Sequence, residues 1–151
     1  SGEIAFTTRP LPVTDLLSSI TVRQVPIGDP RLKWVDRTPW DRLKRQQNVD
    51  ILVFLSEQNT YLECCIGNLF IFRRTSGCWY TPPLTEPILA GVMRSVILSN
   101  ALKMGIDILE ETITPQEDDE LWMSNAVRGL VRLSNHGVEH PYLVQWVLDE
   151  V

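Results

Sequence analysis

Several protein classes are excluded by what this sequence lacks. No run of about 18 apolar residues occurs, so no segment reads as a membrane-spanning helix, and no basic-then-apolar start reads as a secretory leader. A basic excess is missing too. Fourteen Lys and Arg stand against 19 Asp and Glu, a net charge of −5, and the longest block of like charge is Glu117-Asp118-Asp119-Glu120. That balance predicts neither a nucleic-acid partner nor binding to an anionic membrane. Cysteine is scarce and odd in number, three in all. Cys64 and Cys65 are adjacent, too close for an unstrained disulfide, so reduced thiols and a cytoplasmic setting are expected. Only two histidines are present. His136 and His140 lie in SNHGVEHP, expected to be a loop, and no third ligand accompanies them, so no metal site is predicted. A Gly-rich lysine phosphate loop and a Ser-His-Asp order are also absent.

The chain does contain enough for one core: 151 residues, 44% of them hydrophobic, a size that needs no metal or disulfide staple. EIAFTTRPLP alternates and then breaks at Pro10 and Pro12, as a short strand running into a turn. VTDLLSS is expected to make two turns of helix, and ITVRQVPI a second strand. A basic, Trp-containing stretch follows, with a helix starting near Pro39. VDILVFLS then reads as a buried strand, EQN as a turn, TYLECCIGNLFIFRR as one long hairpin partner, and SGCWYT as a turn and strand. From Gly91 to Met104 a helix is predicted whose Val92, Val96, Ile97, Leu98, Ala101 and Leu102 form a core-facing stripe, ended by Gly105. Thr114, Pro115 and Glu117 have the spacing of a capping-box helix start, ELWMSN that of a strand, and EHPYLVQWVLDEV that of a terminal amphipathic helix. No repeat or linker divides the chain, and its class is α/β mixed (α+β).

Four places carry candidate chemistry. Glu63 is a carboxylate between apolar strand residues, so it needs a partner: either a structural ion pair or a protonated ring nitrogen. Lys33, between Leu32 and Trp34, is a candidate amine nucleophile if partly desolvated, or an ordinary solvated lysine. Gly91 precedes a helix, which leaves the amides of Val92, Met93 and Arg94 facing outward, able to hold a phosphate. Ser124 and Asn125 end a strand with small hydrogen-bonding side chains that suit the same anion or an ordinary turn.

In chain order these pieces resemble the fold-type IV PLP enzymes, the class-IV aminotransferase family. LKWVDR is similar to its lysine stretch, LECCIGNLF to its Thr-Glu-x-x-x-x-Asn-Leu-Phe block, YTPPLTEPILAGVMR to its Tyr-Thr-Pro-Pro and Gly-Ile-x-Arg blocks, and MSNAVRG to its small-residue phosphate turn. Asp36 replaces the usual Asn, Leu62 the usual Thr, and Pro87 a frequent Gly. The resemblance implies the D-amino-acid aminotransferase-like PLP fold, with residues 3–151 as its larger, cofactor-binding C-terminal domain and the small N-terminal domain absent from this chain. It implies pyridoxal 5'-phosphate as cofactor. Lys33 would carry it and move the substrate's Cα proton, and Glu63 would pair with the pyridine nitrogen. Asn68 would belong to the cofactor site, Gly91, Val92 and Met93 would hold the phosphate, and Ser124 or Asn125 would add a side-chain contact. It further implies an amino-acid-like substrate and a homodimer. The Glu-Cys-Cys run is similar to the family's lyase branch, which eliminates pyruvate and leaves 4-aminobenzoate for folate synthesis. A branched-chain or D-amino-acid aminotransferase and a non-catalytic binding or scaffold domain are the alternatives.

Overall fold

A β-branched, aromatic-rich chain that also carries turn residues every few positions builds short strands that must close on one another to hide their edges. The computed structural model describes residues 16–23, 29, 31–33 and 36–138. Along them run β1 (Leu16–Arg23), α1 (Thr38–Gln47), β2 (Ile51–Leu55), β3 (Tyr61–Cys64), β4 (Gly67–Arg73), β5 (Cys78–Thr81), α2 (Val92–Lys103), β6 (Ile108–Glu110), β7 (Asp119–Asn125) and β8 (Gly129–Val138). β1 lies parallel to both β2 and β8. Antiparallel pairings then join β2 to β3, β3 to β4, β4 to β7 and β7 to β8. Those six strands form a closed ring. Closure is possible because β4 divides one edge: Gly67 and Asn68 pair with β3, whereas Ile71 to Arg73 pair with β5, which extends the sheet outward to β6.

Two apolar clusters result. Leu17, Ile51, Val53, Leu55, Tyr61, Leu69, Ile71, Leu121, Met123 and Leu133 fill the inside of the ring. Outside it, Trp40 and Leu43 of α1 cover Ile20, Val22, Leu52, Phe54 and Leu62. α1 starts where the sequence places it, with proline in its first turn, and ends on Asn48 in the left-handed conformation. α2 ends before Gly105, whose φ of +72° glycine adopts without the penalty of a Cβ.

The sequence expectations fail at five places. Leu16 to Ser19, expected to be helical, are the first half of β1: burial alternates there, with Leu16 exposed and Leu17 and Ser19 buried, but the residue types Leu-Leu-Ser-Ser do not alternate, so the period of two is not readable in the sequence. TYLECCIGNLFIFRR is not one strand but the β3–β4 hairpin, turned at Cys65-Ile66. No helix starts at Thr114. Arg73 instead takes the Thr114 carbonyl and forms a two-pronged pair with Asp119, while the Gln116 amide donates to Asp119. The expected loop at His136 is strand β8. Finally, the apolar stripe of α2 is mostly not core: Val92 and Leu102 are each 75% exposed, and the helix's buried residues are Arg94 and Ala101. The expected strand at residues 3–12 and the terminal helix after Glu139 lie outside the described residues.

Candidate functional site

Tyr61 of β3 pairs with Leu55 and Cys64 with Val53, so three steps along β3 oppose two along β2. That extra residue is a bulge. It lets Tyr61 and Cys64 both point into the ring while Leu62 joins the outer cluster. Glu63 turns outward with it, which strict alternation would forbid given the inward Tyr61 two residues before it. Register carries the row onward, because Glu63 pairs with Asn68 of β4 and Asn68 with Ser124 of β7. Three buried polar side chains therefore line up across three adjacent strands on the outer face of the barrel.

Glu63 and Asn68 grip one peptide unit. The Leu89 amide donates to Glu63 Oε2 at 3.0 Å, and Asn68 Nδ2 donates to the Leu89 carbonyl at 2.7 Å. This clamp sets the entry of α2 over the row. Two glycines permit the close approach: a Cβ on Gly91 would lie 2.0 Å from Asn68 Oδ1, and one on Gly67 would lie 2.3 Å from the Ser124 carbonyl. Arg94 fixes the helix from its other side, donating through Nη2 to the Pro82 carbonyl at 3.0 Å and to Glu110 at 2.6 Å. The N-terminus of α2 is left without a side-chain cap at Gly91, so its first amides and the positive end of the helix dipole face a cavity.

That cavity, about 260 Å³, is lined by Lys33, Arg37, Glu63, Asn68, Gly91, Val92, Met93, Ser124 and Asn125 among others. It brings together every candidate of the sequence reading except Arg94, which does not line it. A larger cleft of about 780 Å³, bordered by Arg74, Asp118, Glu120 and Arg132, contains none of them. Within the cavity the candidates differ in what they have to offer. Ser124 Oγ is buried and has no hydrogen-bond partner among the described residues, an unmet group that an anion at the α2 N-terminus would satisfy. Asn125 does not fit the expected side-chain role: its Nδ2 donates to the Ile66 carbonyl and its Oδ1 accepts the Val127 and Arg128 amides. Asn68 is similarly occupied by Leu89 and acts on the site through α2. Lys33 stands at the rim and is exposed, as is Leu32 at 67%, so the partial desolvation on which its nucleophile reading depends is not found among the described residues.

Burial pushes the Glu63 carboxyl up to about 7, and the Leu89 amide only partly offsets it. Its second oxygen has no partner among the described residues, so this carboxylate is poised to meet a cation. Burial also raises both thiols, Cys64 most, which makes them packing groups rather than nucleophiles. Among the described residues no three His, Cys, Asp or Glu side chains converge as metal ligands. Sequence reasoning missed Arg37 and the Leu89 peptide. A charged residue at the helix N-cap was a readable signal for the first; nothing marked the second.

A sequence model of the family described as Amino-transferase class IV matches residues 7–135. Aminodeoxychorismate lyase of Bacillus subtilis is 36% identical over 85 residues, 52% of this chain and 27% of the relative. A provisionally assigned branched-chain-amino-acid aminotransferase of Methanocaldococcus jannaschii is 30% identical over 138 residues, 85% of this chain and 47% of the relative. The chain thus spans less than half the length of these relatives. The PLP-form of the branched-chain amino acid aminotransferase from Thermobaculum terrenum superposes with a TM-score of 0.66 at 19% identity, covering 88% of this chain and 49% of that one.

Proposed function

Because the chain belongs to the class IV aminotransferase family, we propose that its outer-face cavity holds pyridoxal 5'-phosphate and serves a lyase of the aminodeoxychorismate lyase type, eliminating pyruvate to leave 4-aminobenzoate. One observation carries the reading. The buried Ser124 Oγ, without a partner among the described residues, lies in the same cavity as the uncapped N-terminus of α2, and a cofactor phosphate would satisfy both. When bound, the cofactor supplies an electron sink for charge developing at the substrate's Cα.

The chain's own residues divide the remaining work. The amides of Val92 and Met93 and the Ser124 hydroxyl bind the phosphate. The free oxygen of Glu63 takes the proton-bearing ring nitrogen, and a cation there favours the ionised carboxylate that burial alone disfavours. Lys33, at the rim of the cavity, would hold the aldehyde and would move the proton at Cα. Asn68 and Arg94 keep α2 in place. The similarity over 85% of the chain to the Methanocaldococcus jannaschii relative favours a second reading, a branched-chain aminotransferase with the same cofactor contacts. The free thiols of Cys64, Cys65 and Cys78 support a reducing, cytoplasmic setting, and a homodimer is part of the same proposal.

The test mixes PLP with this chain and with the full-length protein, records absorbance, reduces with borohydride and maps the adduct by mass. A phosphopyridoxyl group on Lys33 is expected. An adduct on another lysine, or none in either protein, overturns the reading and leaves a non-catalytic binding domain. Product analysis then separates 4-aminobenzoate release from keto-acid formation.

A further inference from the structure

Arg37 occupies a position that local structure disfavours. It is the N-cap of α1 and makes no side-chain cap there. The Thr38 amide is met instead by Asp36 Oδ1. A guanidinium at a helix N-terminus also faces the positive end of the dipole. Nothing local compensates: Arg37 is half-buried, and no carboxylate pairs with it among the described residues. It lines the cavity, whose one carboxylate, Glu63, hydrogen-bonds the Leu89 amide through one oxygen and forms no ion pair with Arg37.

Topology separates Arg37 from the phosphate cradle. α1 packs on β2 and α2 on β7. Between β2 and β7 around the ring lie β3 and β4, three inter-strand steps, on the order of 14 Å along the sheet. Arg37 therefore belongs to one wall, Ser124 and the α2 amides to the other, with Glu63 and Asn68 in the floor. We propose that Arg37 is a specificity-determining residue that binds a carboxylate of the amino-acid-like substrate. Its planar fork matches a carboxylate with two parallel hydrogen bonds, a geometry that a lysine does not offer. The proposal deepens the cofactor reading above, which names the substrate class, and it gives the cation on the α1 wall the anion it lacks.

The experiment uses the full-length protein, wild type and the variants Arg37→Met and Arg37→Lys, each checked for folding by circular dichroism. Calorimetry measures two acid and amide pairs: 4-aminobenzoate with 4-aminobenzamide, and 4-methylpentanoate with 4-methylpentanamide. PLP uptake is followed separately by absorbance. Wild type is expected to prefer at least one acid over its amide by about tenfold or more. Arg37→Met should lose that preference with PLP uptake within about twofold of wild type, and Arg37→Lys should keep part of it. The proposal fails if wild type prefers neither acid, if Arg37→Met keeps the preference, or if PLP uptake collapses while the preference persists, which would place Arg37 on the phosphate. A wild type that selects acids through Arg37 yet takes up no PLP would sink the cofactor reading and leave this one standing.

Discussion

The two helices of this domain are held by different forces. α1 has the more polar sequence, yet it buries Trp40 and Leu43 against the barrel wall, with the Trp40 and Phe54 rings 5.0 Å apart. α2 has the more apolar sequence, yet it leaves Val92 and Leu102 largely exposed and buries an arginine. Its position comes from polar clamps: Glu63 and Asn68 on Leu89, and Arg94 on Pro82 and Glu110. Apolar packing fixes where α1 lies without demanding one orientation of its amides. Hydrogen bonds are directional, so they aim the N-terminus of α2 into the cavity. The packed helix stabilises the barrel, and the clamped helix shapes the site.

Trp40→Ala should break the first half of that comparison and have the largest effect, a loss of about 3–5 kcal/mol in chemical denaturation. A loss below about 1 kcal/mol would mean that α1 is not anchored by its apolar face.

Glu63 probes the second half through pH. Its folded value of about 7 lies above the ordinary 4.5, so between these values the folded protein keeps a proton that the unfolded chain releases. Stability therefore falls as pH rises through that window, by on the order of 3 kcal/mol, and is level above it. In Glu63→Gln this part of the slope should vanish, and the difference between the two denaturation profiles isolates it. Parallel profiles would show that Glu63 ionises as freely when folded as when unfolded.

Ser124→Ala gives the smallest stability change and separates function from folding. Removing a buried hydroxyl that has no partner among the described residues should leave stability the same or raise it by up to about 1 kcal/mol. PLP affinity should drop. Unchanged PLP affinity would remove Ser124 from the phosphate cradle.

Much of this was legible in the linear chain. Pro39 marked the start of α1, and the run ILVFL marked a strand buried at every position. Gly91 and Gly105 bracketed α2. Glu63 was conspicuous because a carboxylate among strand residues requires a partner. Less legible was which atoms remain free. Asn68, Ser124 and Asn125 are equally polar on the page, but Asn68 and Asn125 have their side chains committed to neighbouring backbone, and Ser124 does not. The Asn125 oxygen is taken by the Val127 and Arg128 amides within its own turn, but Leu89 for Asn68 Nδ2 and Ile66 for Asn125 Nδ2 lie more than twenty residues away, where no local pattern reports them.

By itself the sequence determined the residue types of the site, their order and the short elements that carry them, because turns, caps and strand preferences act over a few neighbours. Only the tertiary structure decided that a bulge in β3 turns Glu63 outward, that β4 shares one edge between β3 and β5, and that α2 is aimed by two side chains on the barrel. These depend on register between strands, and a shift of one residue moves a side chain to the opposite face.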